Sequence, residues 1–492
     1  MAQYEPKGFH PGNTLFSGIS DSTGMAIDQI NFVVSQVVLL LLASVLRTYF
    51  HPSKTRAETR LWFELIVGLL AGAFCFGRHV VHLVVMPALC FIVMANMDPW
   101  IMQRIVLLVS LTYLSILHLY RQTYNYGSSG VDVTGPIMVM TQKVTSLAFN
   151  IHDGKTKSEE EMKKNQKLEA MKETPDLLSY FSYCLTFQTL MAGPSISFKN
   201  YLDFIEGKNF KVYTAISKKQ LPASSTEPSP IPVVVQKVFI AAICGASFII
   251  VGTYFPVSGM KESKFIEDTS ISYKFWYIYV STGASRLKYY FAWIFADAIC
   301  NSSGLGFSGY NEKGEAKWDA MSNIEIVKFE TGTNLKETID AWNIRTNVWL
   351  RTVAYERSTK YPTVMTFSLS ALWHGFYPGY YITFASGALF TAAARVGRRH
   401  IRHFFLKTNE LKAFYDVLTF IVTRLIITYI TFSFVLLELG PSLQLYMSLY
   451  WCLHILGLAL LIFAPILIPK PNPGHVNVNQ IENTLRQVGP YH

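Results

Sequence analysis

His374 sits in the run Ala371-Leu372-Trp373-His374-Gly375, with apolar and aromatic residues on both sides. A neutral imidazole, with a reference pKa of ~6.5, can take a proton from a hydroxyl or thiol and so serve as a general base. A buried histidine can also be purely structural, its ring satisfied by core partners. Ser370 lies four residues earlier and would share a helical face with His374, which admits a Ser-His nucleophilic pair, although no orienting acid is visible nearby. Upstream, Asn343, Asn347 and Arg351 recur at i, i+4 and i+8, so they would line one face of a helix, with Trp342, Trp349, Leu350 and Val353 mainly on others. A polar stripe in so apolar a chain suits the wall of a cavity. The same spacing fits a helix lying at the membrane surface with its polar side in water.

The elements that must position these residues are set by composition. Of 492 residues, 50% are hydrophobic, 14% aromatic and only 15% charged. Soluble domains carry about 25% charged residues, so lipid is the solvent this chain is built for, and an all-α polytopic membrane protein is expected. Apolar spans recur to residue 469 and leave no room for a separate soluble domain. The organisation read from this is a polar segment over 1–28, one membrane-embedded unit over 29–469 and a polar cytosolic tail over 470–492.

Apolar runs are placed near Ile30–Leu46, Leu61–Phe76, Val80–Met94, Ile101–Tyr120 and Val233–Phe255, with two long ones near Phe414–Leu439 and Leu443–Ile468. Several fall short of the ~20 residues a simple crossing needs, so some helices tilt or penetrate without crossing; about ten or eleven helices are expected. Residues 132–154 interrupt their apolar pattern with Thr141, Gln142 and Lys143, which suits a helix facing protein or the interface. Residues 153–176 carry dense charge of both signs and read as a solvated loop or surface helix. Gly193-Pro194 stops a helix, and 206–232 reads as a linker.

Arg286, Lys288 and Asp297 are embedded among aromatics. Ionisable groups at such depth face a protein interior or a wet cavity, unless the long side chains snorkel to the interface. The Gly-rich loop over 301–310 lacks the strand-then-helix setting of a phosphate-binding fingerprint. The sequon Asn301-Ser302-Ser303 abuts a span and is expected to be unused.

The formal charge of +10, from 43 Lys and Arg against 33 Asp and Glu, fits the basic excess of cytosolic loops. Arg47, Lys54, Arg56 and Arg60 place one loop in the cytosol, and Arg395 to Arg402 place another. The surplus also suits an anionic cosubstrate or lipid headgroup. Basic residues dispersed among spans form no stripe for nucleic acid. The six cysteines show neither CxxC nor metal-ligand spacing and read as inert core thiols. If the path from His374 to Arg395 were helical throughout, its 21 residues would span ~31 Å, nearly a bilayer core. Any cytosolic cosubstrate would then reach His374 through a tunnel.

Trp342-Asn343, then Trp373-His374-Gly375 and Pro378-Gly379-Tyr380-Tyr381, together resemble the membrane-bound O-acyltransferase (MBOAT) family in its lysophospholipid acyltransferase branch. The likeness extends to DVTGPIMVMTQK, Ala192-Gly193-Pro194, LKYYFAWIFADAI and GLGFSGY, and covers most of residues 28–465. Within that branch it is most similar to the 1/2-like members, which favour lysophosphatidylethanolamine and lysophosphatidylserine. The resemblance implies an MBOAT-type bundle with re-entrant or interfacial helices around a central chamber, in the endoplasmic reticulum membrane. It implies transfer of a fatty acyl group from acyl-CoA, with oleoyl-CoA as the expected donor, to the free glycerol hydroxyl, mainly sn-2, of a lysophospholipid such as lysophosphatidylethanolamine, lysophosphatidylserine or lysophosphatidylcholine, in phospholipid remodelling. Acyl-CoA is a cosubstrate; no cofactor or metal is implied.

The family's histidine maps onto His374 and its asparagine onto Asn343, 31 residues apart. Trp342, Asn347, Arg351, Trp373, Lys288, Tyr289, Tyr380 and Tyr381 are the candidates for substrate binding, with Arg351 and Lys288 on the CoA side. Arg345, Asn347 and Arg351 stand where less polar or differently charged neighbours are expected for the family. Two other readings stay open: an MBOAT enzyme with a sterol, diacylglycerol or protein acceptor, and a lipid transporter or scramblase using the same polar cavity.

Overall fold

A computed structural model describes residues 9, 12–128, 130–210 and 227–468. The expected polar tail over 470–492, most of the 206–232 linker and the first residues of the N-terminal segment lie outside them. Within the described residues the chain is helical apart from one short antiparallel pair, in which Gly309–Tyr310 faces Ala316–Lys317.

The helices that build the bundle are α1 (Ile27–Thr48), α2 (Ala57–Phe76), α3 (His82–Asn96), α4 (Pro99–Tyr124), α5 (Thr134–Thr156), α6 (Leu177–Cys184), α7 (Phe187–Leu190), α8 (Ile231–Tyr254), α9 (Ile271–Ser303), α10 (Ile326–Thr331), α11 (Leu335–Asp340), α12 (Ile344–Val353), α13 (Pro362–His374), α14 (Pro378–His400), α15 (Asn409–Leu436), α16 (Leu439–Ser448) and α17 (Cys452–Leu467). By length and apolarity five stretches among the described residues qualify as membrane spans, and a sixth if α16 and α17 count as one. Those two helices are bent by 75°, so the single span expected over 443–468 is broken. The shortfall against ten or eleven has a physical reason. α5, α9 and α14 are long enough at 23, 33 and 23 residues, but their polar residues meet protein and the central cavity where lipid-facing spans carry Leu and Ile.

α5 makes this concrete. Thr141, Gln142 and Lys143 are buried, and each is satisfied: Thr141 donates to the Ile137 carbonyl, Gln142 to Thr346, and Lys143 Nζ to the carbonyls of Tyr183 and Cys184 at 2.9 and 3.3 Å. Left unpaired at that depth, each would cost several kcal/mol. Near the C-terminal end of α5, Asp153 is 1% exposed and takes a bidentate pair from Arg357 at 2.7 and 2.6 Å. Asp153 therefore belongs to the core, and the surface segment expected from 153 begins after α5 ends at Thr156 and includes the short helix Lys164–Glu169.

Asp297 of α9 pairs with Lys237 of α8 at 2.6 Å and accepts from Ser322 at 2.7 Å. Asn301 is fully buried, which closes its sequon to modification. Five of the six cysteines are buried and Cys452 is half-buried, all as free thiols.

Candidate active site

α13 carries His374 as its last residue because Gly375 ends the helix with φ +109° and ψ −162°, a conformation open to glycine alone. Pro378 then starts α14 as its first residue, where a missing N–H costs nothing. The path from His374 to Arg395 is therefore interrupted. Its helical part runs from Pro378 to Arg395, ~26 Å, and His374 lies at the end of α14 remote from the basic residues.

A Cβ added to Gly375 would sit 3.0 Å from the His118 ring. His118 in turn donates from Nε2 to the Trp373 carbonyl at 3.1 Å, and Trp373 Nε1 donates to the Met138 carbonyl at 2.9 Å. The turn that presents His374 is thus fixed by α4 and α5 together. A Gly375→Ala protein is expected to lose roughly tenfold in activity, because a strained φ costs about 1–3 kcal/mol and the contact with His118 shifts the turn; turnover per folded molecule checks this.

Nδ1 of His374 is 2.7 Å from the Ser370 carbonyl. A carbonyl only accepts, so Nδ1 carries the proton and the lone pair is on Nε2. Ser370 engages His374 through its main chain and not its hydroxyl, which removes the geometry a Ser-His nucleophilic pair requires. Around the imidazole stand Trp373, Tyr380, Phe384 and Phe434, with ring centroids 4.6, 5.8, 4.9 and 5.3 Å away.

Asn343 stands one residue before α12, in the left-handed conformation with φ +47° and ψ 52°. Asparagine tolerates this region better than most side chains. Its orientation is set by Asn323, whose Oδ1 accepts from the Arg345 main-chain N–H at 3.0 Å and whose Nδ2 must then donate, to Asn343 Oδ1 at 3.0 Å. With its oxygen engaged, Asn343 keeps its amide N–H groups for another acceptor.

The i, i+4, i+8 stripe takes a different form from the one expected. The left-handed backbone at Asn343 takes it out of the helical progression. Asn347 Nδ2 turns back to the carbonyls of Ile339 and Trp342, each at 2.8 Å, which makes it a brace under Asn343. Arg351 is solvent-exposed and pairs with Glu356 at 2.9 Å.

These residues surround one chamber of about 2450 Å³, lined by Asn343, His374, Trp342, Trp373, Tyr289 and Tyr380 among others. Its wall includes Arg351, Arg395 and Arg398, and also Lys261 and Glu438. Asn347 and Lys288 also line it. Lys288 Nζ lies 5.3 Å above the Tyr289 ring, and Tyr289 packs edge-on against Trp342 at 5.9 Å. Tyr381, at 41% exposure, is not among the residues that line the chamber, because it follows Tyr380 by one residue on α14 and so points about 100° away.

Two members of the site, His118 and Asn323, were not anticipated from the sequence. His118 carried a signal, an ionisable residue inside an apolar span. Asn323 carried none, since only its long-range pairing with Asn343 gives it a role.

The description of the membrane-bound O-acyltransferase family matches residues 118–436, a stretch that holds both Asn343 and His374. Lysophospholipid acyltransferase 6 of Drosophila melanogaster is 47% identical over 459 residues, 92% of this chain and 63% of that protein. Membrane-bound glycerophospholipid O-acyltransferase 2 of Homo sapiens is 42% identical over 458 residues, covering 92% of this chain and 88% of its own length. A lysophospholipid acyltransferase of Schizosaccharomyces pombe is 33% identical over 395 residues, 77% of this chain and 75% of its own. A histidine with a free ring nitrogen and an asparagine with a free amide, facing one chamber in an apolar helical bundle, join these likenesses in one conclusion: the chain belongs to the membrane-bound O-acyltransferase family.

Proposed function

We propose that this protein is an integral-membrane lysophospholipid acyltransferase of phospholipid remodelling, moving a fatty acyl group from acyl-CoA to the free glycerol hydroxyl, mainly sn-2, of a lysophospholipid in the endoplasmic reticulum membrane. The observation that carries the reading is the chamber shared by the free Nε2 of His374 and the free amide of Asn343. Relatives named as lysophospholipid or glycerophospholipid acyltransferases support the acceptor class.

In this mechanism His374 Nε2 takes the hydroxyl proton as the oxygen attacks the thioester carbonyl carbon. The Asn343 amide donates to the oxygen that gains charge. Collapse of the tetrahedral intermediate breaks the carbon–sulfur bond, and the imidazolium returns the proton to the departing CoA thiolate. The aromatic wall of Trp373, Tyr380, Phe384 and Phe434 keeps water from the thioester. CoA approaches from the cytosolic end, where Arg351, Arg395 and Arg398 offer positive charge to its phosphates.

The test is purified protein with labelled oleoyl-CoA and a panel of acceptors. Phospholipid product from lysophosphatidylethanolamine, lysophosphatidylserine or lysophosphatidylcholine is expected. Product from a sterol or diacylglycerol alone would move the chain to another branch, and lipid flux without consumption of acyl-CoA would make it a transporter.

A further inference from the structure

Three charged groups meet at the middle of α9. Arg286 of α9 grips Glu330 of α10 through Nε and Nη2 at 3.0 and 3.2 Å, and the Tyr290 hydroxyl donates to the same carboxylate at 2.7 Å. Arg424 of α15 approaches Glu330 only to 3.7 Å. Its guanidinium is instead held by the Phe329 carbonyl at 2.6 Å and the Thr338 hydroxyl at 2.7 Å. Two guanidinium charges thus share one carboxylate, and no other carboxylate among the described residues pairs with either. The cluster keeps a net positive charge where an uncompensated charge is expensive.

Arg286 is 7% exposed, and its Nη1 is buried with no hydrogen-bond partner among the described residues. Arg286 also forms part of the chamber wall, beside Thr282, Ser285 and Asn334. The Phe329 ring lies under both guanidiniums, at 5.6 and 5.7 Å, and packs at 5.0 Å against Trp342, the residue before Asn343. The unspent charge thus lines the same chamber as His374 and Asn343, with the Phe329 and Trp342 rings between it and Asn343.

We propose that Arg286, whose charge Glu330 shares with Arg424 and so only partly neutralises, is the site for the phosphodiester of the acceptor lipid. This rests on the lysophospholipid reading above. Depth selects the acceptor over CoA as the source of the phosphate. Arg286 stands 15 residues from the start and 17 from the end of α9, roughly 22 and 26 Å of helix, so a CoA nucleotide bound there would be buried whole. The acceptor's phosphate is joined to the reacting hydroxyl by the glycerol alone and must enter the chamber with it. Recognition through the phosphodiester also leaves the headgroup beyond it free to vary.

The experiment measures KM for lysophosphatidylethanolamine and for oleoyl-CoA in wild type, Arg286→Gln and Glu330→Gln. Wild-type transfer to the lysophospholipid is the first reading, and its absence would sink the functional assignment before this site is tested. Given that transfer, R286Q is expected to raise the KM for the lysophospholipid roughly 10–100-fold, the size of one hydrogen bond to a charged group, with the KM for oleoyl-CoA unchanged. E330Q, which releases a guanidinium edge, is expected to leave the acceptor KM unchanged or lower it. A purely structural cluster would make both variants fail alike. An acceptor KM raised in both, or unmoved in R286Q, overturns the proposal, and a KM raised for oleoyl-CoA alone hands the site to CoA. If R286Q does not accumulate, E330Q decides, since a raised acceptor KM there contradicts the assignment.

Discussion

A His374→Ala protein, folded and present at normal abundance, is expected to lose ~10²–10⁴-fold of its acyl transfer, the usual contribution of a general base. The expectation follows from a single hydrogen bond. The Ser370 carbonyl fixes the proton on Nδ1, so in the neutral imidazole the nitrogen left for chemistry, Nε2, carries the lone pair. Alanine removes that base while asking little of the fold, because His374 ends α13 and the helix is terminated by Gly375 and not by the imidazole. The measurement is product formed per folded molecule in membranes, with abundance and detergent-extracted monodispersity as controls. Acyl transfer at the wild-type rate would mean that the base lies elsewhere.

Much of this site was legible in the sequence, and the limits have physical causes. His374 stood out as a histidine in an apolar run, and Asn343 through its place in an ordered series of motifs. α5 was recognisable as a helix facing protein or the interface because Thr141, Gln142 and Lys143 interrupt an otherwise apolar pattern, and the structure shows them facing protein. Span boundaries such as Ile27–Thr48 and Ile231–Tyr254 fell within a few residues of the apolar runs, since lipid leaves few alternatives to a continuous helix. The chamber itself was less visible. Helical spacing treats Asn343, Asn347 and Arg351 as equals, yet one left-handed residue gives them three jobs, and backbone conformation at a single position is not written in periodicity. Tyr380 and Tyr381 are likewise indistinguishable by type and differ only in which way α14 turns them. The break between α16 and α17 was hidden because both halves are apolar.

Replacing Asn343 separates two roles that the structure superimposes. Its backbone occupies the left-handed region, and its amide is the group left free by Asn323. Alanine at 343 would remove the amide and also pay the cost of that conformation. Glycine would accept φ +47° without penalty and remove the amide alone. Both variants are expected to fall ~10²–10³-fold in kcat, the range for loss of one donor to a developing oxyanion, with N343G the better folded. Aspartate keeps the shape but sets a carboxylate where negative charge must grow, so N343D is expected to fare no better than alanine. Asn323→Ala removes the partner that orients the amide and the acceptor of the Arg345 N–H but keeps the amide itself, so its loss should be smaller and fall on kcat, with KM little changed. An N343G protein with near wild-type turnover would show that the turn matters and the amide does not, and the oxyanion role would then pass to a main-chain N–H.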